Sequence, residues 1–224
     1  MAKLFDKNSN ACFGGKAEFV DHYMKKEFHF VALVVALLSV SQGSVLAEDA
    51  PVKLVPVLKI NKELDKRTAI KPSTIPNAGN GLFAVVPIRE GEVIGELGGR
   101  LLTLEDPIVS NHYLASIPEC AWEETQPYRY LDGKDFGGNV SRANFAPRRV
   151  NGVETHFRNA AIAQLCVYPY VVFVALKDIE RGTEIWSSYG PHYEYGRFMN
   201  EPEVRDFFCG LLKIDCSQEY SFEY

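Results

Sequence analysis

Three short blocks in this chain carry residue types from which chemistry is built. Gly79-Asn80-Gly81 forms a tight turn that leads straight into the apolar strand Leu82 to Val86. Glycine is required where the backbone takes positive φ or where a ligand approaches it closely; a simple hairpin corner makes the same demand. The second block holds Asn139, Arg142 and Asn144, whose amide and guanidinium groups donate and accept hydrogen bonds in fixed directions. The third, Trp186-Ser-Ser-Tyr189-Gly190, is followed by Tyr193 and Tyr195 at alternate positions. A phenol with an ordinary pKa near 10 is protonated at neutral pH, so Tyr189 serves better as an acceptor and positioning group than as a base. Ser187 and Ser188 lie near His192 in sequence, but no nucleophile elbow or suitably ordered acid accompanies them, which argues against a hydrolase.

These blocks have to be positioned by a framework, and the hydrophobic pattern describes one. Strands are expected at Leu82–Val86, Val93–Leu97, Tyr128–Leu131, Ala161–Cys166, Val171–Ala175 and Glu184–Trp186. The unbroken apolar run Val171 to Ala175 belongs in the middle of a sheet. A helix is expected around Asp106 to Ala115 and another over Glu201 to Cys209, with Pro202 in its first turn. The fold class is mostly β with short helices.

In order and content the blocks resemble the SET-domain family of protein lysine methyltransferases: a Gly-x-Gly turn, a central Asn-x-x-Arg segment, an apolar strand, the Gly182-Thr183-Glu184 turn and Tyr189-Gly190. The resemblance runs over residues 67–197. It implies small curved sheets and a C-terminal pseudoknot in which the segment around Tyr189 threads under a loop carrying Asn144. It also implies transfer of a methyl group from S-adenosyl-L-methionine to a lysine side chain. The cofactor-binding set is then Gly79, Asn80, Gly81, Arg142, Asn144, Phe145 and Tyr189, and the catalytic set Tyr189, Tyr130 and Tyr193. Glu184 reads as a structural acceptor. The central block departs from the family's Arg-Phe-x-Asn-His-Ser-Cys form. It reads Arg142-Ala-Asn144-Phe145-Ala-Pro: one residue is missing, Phe stands for His, and the Ser-Cys pair is gone. Arg158-Asn159-Ala160 is similar to the family's Asn-Ala, displaced by the stretch Arg148 to Phe157. The block is closer to the PR-domain branch, and it keeps open an alternative function as a peptide-binding or protein-binding module of weak or no activity.

Lysine methylation makes plain physical demands. The amine, with an ordinary pKa of about 10.4, has to lose a proton before its lone pair can attack. A narrow apolar and aromatic channel lowers that pKa by desolvation. Alignment of amine and methyl supplies much of the rate.

Composition agrees with this and excludes other classes. The hydrophobic fraction is 46%, the charged fraction 24% and the net charge −5. A mildly acidic chain lacks the basic surface by which proteins meet phosphates, so sequence-specific nucleic-acid binding is not expected and a basic, lysine-containing peptide or protein is the better partner, a histone among them. The five cysteines, at 12, 120, 166, 209 and 216, are odd in number and widely spaced. They signal neither a disulfide scaffold nor a zinc cluster. SET enzymes often carry a Cys-x-Cys zinc segment after the domain; none follows here, so no metal is expected. The aromatic-rich tail from Phe207 to Tyr224 takes the place of that segment in closing the site.

Residues 1–50 form an extension. Within it, 24–47 have the order of a signal peptide: Lys25 and Lys26, an apolar run from Phe30 to Val40, then Val45-Leu46-Ala47 before Glu48. The run falls short of the about 20 residues that span a membrane. A signal implies secretion or an organelle; without one the nucleus or cytoplasm follows. Residues 51–66 read as a linker with one short strand, Val52 to Ile60. Residues 103–127 read as a variable insert in the 67–197 domain, and 198–224 as the tail.

Overall fold

The structure, a computed structural model, describes residues 56–108, 113–190 and 193–224. The extension 1–50, the signal-like segment 24–47 and His192 lie outside the described residues. Val55–Tyr224 forms one compact unit.

Four small sheets build that unit. In the first, Val57–Leu58, Gly99–Leu102, Tyr130–Asp132 and Leu114–Ser116 lie side by side in that order. In the second, Val171–Ala175 runs between Ala160–Gln164 and Val93–Glu96, antiparallel to both. It is central, as its apolar run requires: Val171, Val172, Phe173 and Ala175 are all buried. The third sheet orders Thr68–Pro72, Asn80–Ala84, Glu184–Ser187 and Asn144–Phe145. The fourth joins Val153–Glu154, Arg149–Val150 and Phe222–Glu223.

The third sheet positions the site. Its strand Glu184–Ser187 is antiparallel to Asn80–Ala84 on one edge and parallel to Asn144–Phe145 on the other. The closing segment is thereby caught between the glycine turn and the central block. Asn159 clamps it a third time. Its Nδ2 donates to the Glu184 carbonyl at 2.8 Å, and its Oδ1 accepts from the Trp186 amide at 2.8 Å. A buried side-chain amide thus completes a backbone ladder that would otherwise hold orphan groups.

Two apolar clusters lie on this sheet. Leu82 and Ile185 belong to a large core with Ile94, Leu131, Val140 and Val171. Phe145, Ala146 and Val150 belong to a second, with Tyr195, Met199 and Phe208. The C-terminal helix Pro202–Leu212 feeds the second core with Val204, Phe208 and Cys209, which share one helical face. Pro202 opens the helix, and Lys213, left-handed at φ 57°, ends it by returning its N–H to the Cys209 and Gly210 carbonyls.

The six strand predictions inside the domain hold to within two residues at either end; of the strand expected at Val52 to Ile60 the described residues keep only Val57–Leu58, and two other expectations are corrected. Among the described residues of Asp106 to Ala115 none is helical. Asp106 accepts from the Thr103 amide and hydroxyl and so fixes a turn, and Leu114–Ser116 is an edge strand on Tyr130–Asp132. The stretch read as an insert also supplies Ile117 and Ala121 to the large core.

The second correction concerns the cysteines, which do form disulfides. Cys120 pairs with Cys166 and Cys209 with Cys216, at Cα separations of 5.1 and 6.2 Å. Spacing concealed both, because the first pair meets only once the 119–121 turn packs beside the end of the Ala160–Gln164 strand. The second closes after the left-handed Lys213 reverses the chain. Cys12 lies outside the described residues. Closing a loop with a sequence separation of 46 restricts the unfolded chain by about 4 kcal/mol in the chain-entropy account.

Candidate functional site

The glycine turn is held by a buried carboxylate. Glu184 is 5% exposed. Its Oε1 accepts from Ser73 Oγ at 2.7 Å and Asn144 Nδ2 at 3.2 Å, and its Oε2 from the Thr74 amide and hydroxyl at 2.8 and 2.5 Å. Asn144 Nδ2 also donates to the Asn80 carbonyl at 3.1 Å. One carboxylate thus ties together the turn after Pro72, the strand that begins at Asn80 and the central block. Gly81 is glycine for this reason: a Cβ there would lie 2.1 Å from Glu184 Oε1. Gly79 differs. It is exposed, has φ +68°, and a Cβ on it would meet nothing within 4 Å. The turn therefore faces open space at Gly79 and is filled at Gly81.

Tyr189 follows the far end of the strand Glu184–Ser187 by two residues. Its hydroxyl donates to the Ala143 carbonyl at 2.8 Å, and its amide donates to Tyr195 Oη at 2.9 Å. Tyr195 in turn donates to the Gly190 carbonyl at 2.8 Å. The Tyr193 ring meets Tyr189 edge-on at 4.7 Å, and Tyr195 lies parallel to it at 6.4 Å. Tyr224 stacks on Tyr195 at 5.1 Å, so the tail does reach the aromatic group. Burial, with Tyr193, Tyr195, Tyr113 and Glu184 nearby, pushes the Tyr189 phenol far above its ordinary pKa. It is a neutral hydroxyl whose one proton is committed to Ala143, which leaves the oxygen as an acceptor. Burial raises Tyr193 and Tyr195 as well.

The remaining candidates separate. Phe145 is 3% exposed, packed on Tyr195 at 4.1 Å and beneath the Arg158 guanidinium at 5.4 Å. Its ring is a core wall. Arg142 reaches the Lys134 carbonyl at 3.1 Å and covers the Tyr113 ring at 4.4 Å. Tyr130 pairs with Leu102 and Ser116 in the first sheet, and no ring contact joins it to Tyr189 among the described residues. Asn139 fastens its turn to Asp65 and Thr68. Sequence reasoning missed Tyr113, whose field acts on both Tyr189 and Tyr193. It also missed the Ser73-Thr74 donors, whose only signal was a polar pair between Pro72 and Pro76.

Residues 79–190, half of the 224-residue chain, match the SET domain family. The chain belongs to the SET-domain family. SET domains are in general protein-lysine methyltransferases. This SET domain is similar to the Chaetomium thermophilum PRC2 complex with H3K27me3 and H3K27M, at 23% identity and a TM-score of 0.43. That match covers 56% of this chain and 15% of the other. It is also similar to the methyltransferase domain of human PR domain-containing protein 2, at 17% identity and a TM-score of 0.43, over 66% of this chain and 97% of that one. No curated protein matches the sequence. Among the described residues, no group of His, Cys, Asp and Glu is placed to hold a metal, and no helix is long and apolar enough to cross a membrane.

Proposed function

We propose that this SET-domain protein transfers a methyl group from S-adenosyl-L-methionine to a lysine side chain of a protein. The observation that carries the reading is Tyr189. A neutral, half-buried phenol with its proton committed to Ala143 is walled by two further tyrosines. It stands two residues beyond the strand Glu184–Ser187, which also anchors the glycine turn.

The turn and the central block have room and polar groups for the cofactor. Gly79 offers open backbone, Asn80 is exposed, and Asn144 is only half buried, its amide fixed beside the turn. These residues suit a ligand that needs backbone contact and a directed amide. Phe145 offers it no ring. When bound, S-adenosyl-L-methionine supplies an electrophilic methyl on a sulfonium centre. The chain's own residues do the rest. The tyrosine walls exclude water and so favour the neutral, nucleophilic amine. Their faces stabilise the positive charge that amine and methyl share. The Tyr189 oxygen accepts weak C–H and N–H hydrogen bonds that orient the reactants.

Phe145 favours a second reading, a domain that binds a peptide without turnover, because the imidazole of the family's usual motif is absent. Calorimetric titration with S-adenosylhomocysteine, paired with tritium transfer to a lysine-rich protein such as bulk histones, separates the two. The first reading expects both binding and transfer, and loss of binding in Asn144→Ala. Absence of binding would overturn it in favour of the second.

The compartment is part of the proposal. Two disulfides support the targeted reading of residues 24–47, since such bonds persist where the surroundings oxidise. The expected mature chain begins near Glu48. Mass spectrometry of protein from its native cell would refute this by finding residues 28–40 retained.

A further inference from the structure

Beyond the tyrosines, the loop from Arg148 to Arg158 holds a second cluster that the proposed transfer does not use. A small cleft of about 180 Å³ is lined there by Arg148, Glu154, Thr155, His156, Phe157 and Arg158. The positions of its two arginines are fixed by backbone. The Arg148 amide donates to the Glu223 carbonyl at 2.7 Å, and the Arg148 carbonyl accepts from the Thr155 amide at 2.9 Å. Thr155 is further pinned by its hydroxyl, which donates to the Pro147 carbonyl at 2.6 Å. Arg158 is held by its Nε on the Ala146 carbonyl at 2.8 Å and by its stacking over Phe145.

Charge is not balanced in this cleft. Arg158 Nη2 is buried without any hydrogen-bond acceptor. The Arg148 side chain is exposed, and no carboxylate among the described residues pairs with either guanidinium. Glu154 lines the cleft but bonds to neither, and the nearby Glu223 is engaged by Arg149. Burial lowers the Arg158 pKa; Tyr195 opposes that shift and Arg148 adds to it. A buried guanidinium N–H left without an acceptor is costly, and a protein rarely keeps one that nothing satisfies.

We propose that the cleft between Arg148 and Arg158 is an oxyanion-binding site that takes a phosphate or carboxylate group. Arg148 offers an exposed planar fork that matches two oxygens of such a group, and Arg158, its Nε already given to the Ala146 carbonyl, adds a second guanidinium on the same small cleft. The volume suits a single anionic group and excludes a nucleotide. The site stands on its own geometry and does not depend on methyl transfer.

The test is a thermal titration at constant ionic strength with inorganic phosphate in one arm and acetate in the other, with chloride as the balancing salt. Wild-type protein is expected to gain about 3–6 °C in melting temperature at a tenfold excess over Kd, in the arm whose anion fits. Arg148→Gln removes one fork from an exposed position and is expected to fold normally and lose the gain. Arg158→Lys keeps charge without the fork and is expected to reduce it. A response to phosphate alone assigns a phosphoryl ligand, and a response to acetate alone a carboxylate. No rise in either arm, or an equal rise in R148Q, would overturn the proposal.

Discussion

Tyr189→Phe is expected to slow methyl transfer by about 10-fold to 1000-fold, the range for an oxygen worth about 1.4–4 kcal/mol at the transition state. The ring volume is unchanged, so the contacts with Tyr193 and Tyr195 survive. The hydroxyl, however, has a buried partner. Removing it leaves the Ala143 carbonyl without its donor, in a residue 3% exposed, at a cost of about 1–2 kcal/mol. The melting temperature should fall by about 2–8 °C. Rates are therefore compared well below the transition, on a peptide already shown to be methylated by wild type. A full rate with a lowered melting temperature would make the hydroxyl purely structural. A full rate with no loss of stability would contradict the hydrogen bond as well as the mechanism.

That double effect was not legible in the sequence, and the reason is physical. The Tyr-Gly block identified Tyr189 as the residue to watch, but which carbonyl its hydroxyl meets depends on a contact across 46 residues. Local pattern served where local physics decides. The run Val171 to Ala175 is central because five successive apolar residues have no exposed face. Pro202 opens a helix because its missing N–H costs nothing there. Long-range pairings escaped. Tyr113 enters through the stretch read as an insert, and Cys120 and Cys166 are brought together by a turn and a strand end that spacing cannot join. Phe145 shows the limit of a motif. Its place in the block promised a surface beside the cofactor, whereas Tyr195 packs on it and it joins the core cluster to which the tail contributes Phe208. The same tail places Tyr224 on Tyr195, a contact fixed by the two-residue pairing of Phe222–Glu223 with Arg149–Val150.

Gly81→Ala tests what the glycine turn is for. Gly81 does not adopt positive φ, so alanine suits its backbone and, in a strand, would ordinarily stabilise by about 0.5–1 kcal/mol. Here the added methyl would lie 2.1 Å from Glu184 Oε1 and 3.2 Å from Asn144 Nδ2. The carboxylate has to leave the Ser73, Thr74 and Asn144 donors, and a buried charge stripped of its partners costs about 3 kcal/mol or more. The cost should depend wholly on Glu184. In the Glu184→Ala background, itself destabilised by donors left unpaired, the space is vacant and G81A should be neutral or slightly stabilising. A double-mutant cycle by denaturant unfolding reads this as a coupling of about 3 kcal/mol. A glycine kept for close approach of cofactor behaves otherwise. G81A would then leave stability intact and weaken S-adenosylhomocysteine binding in both backgrounds, and the cycle would show no coupling. Geometry favours the first outcome at Gly81 and the second at Gly79, where a side chain meets only open space. Gly79→Ala is the comparison: backbone strain at φ +68° is its sole expected cost to stability, about 1 kcal/mol, and the weakened S-adenosylhomocysteine binding should be the same in both backgrounds.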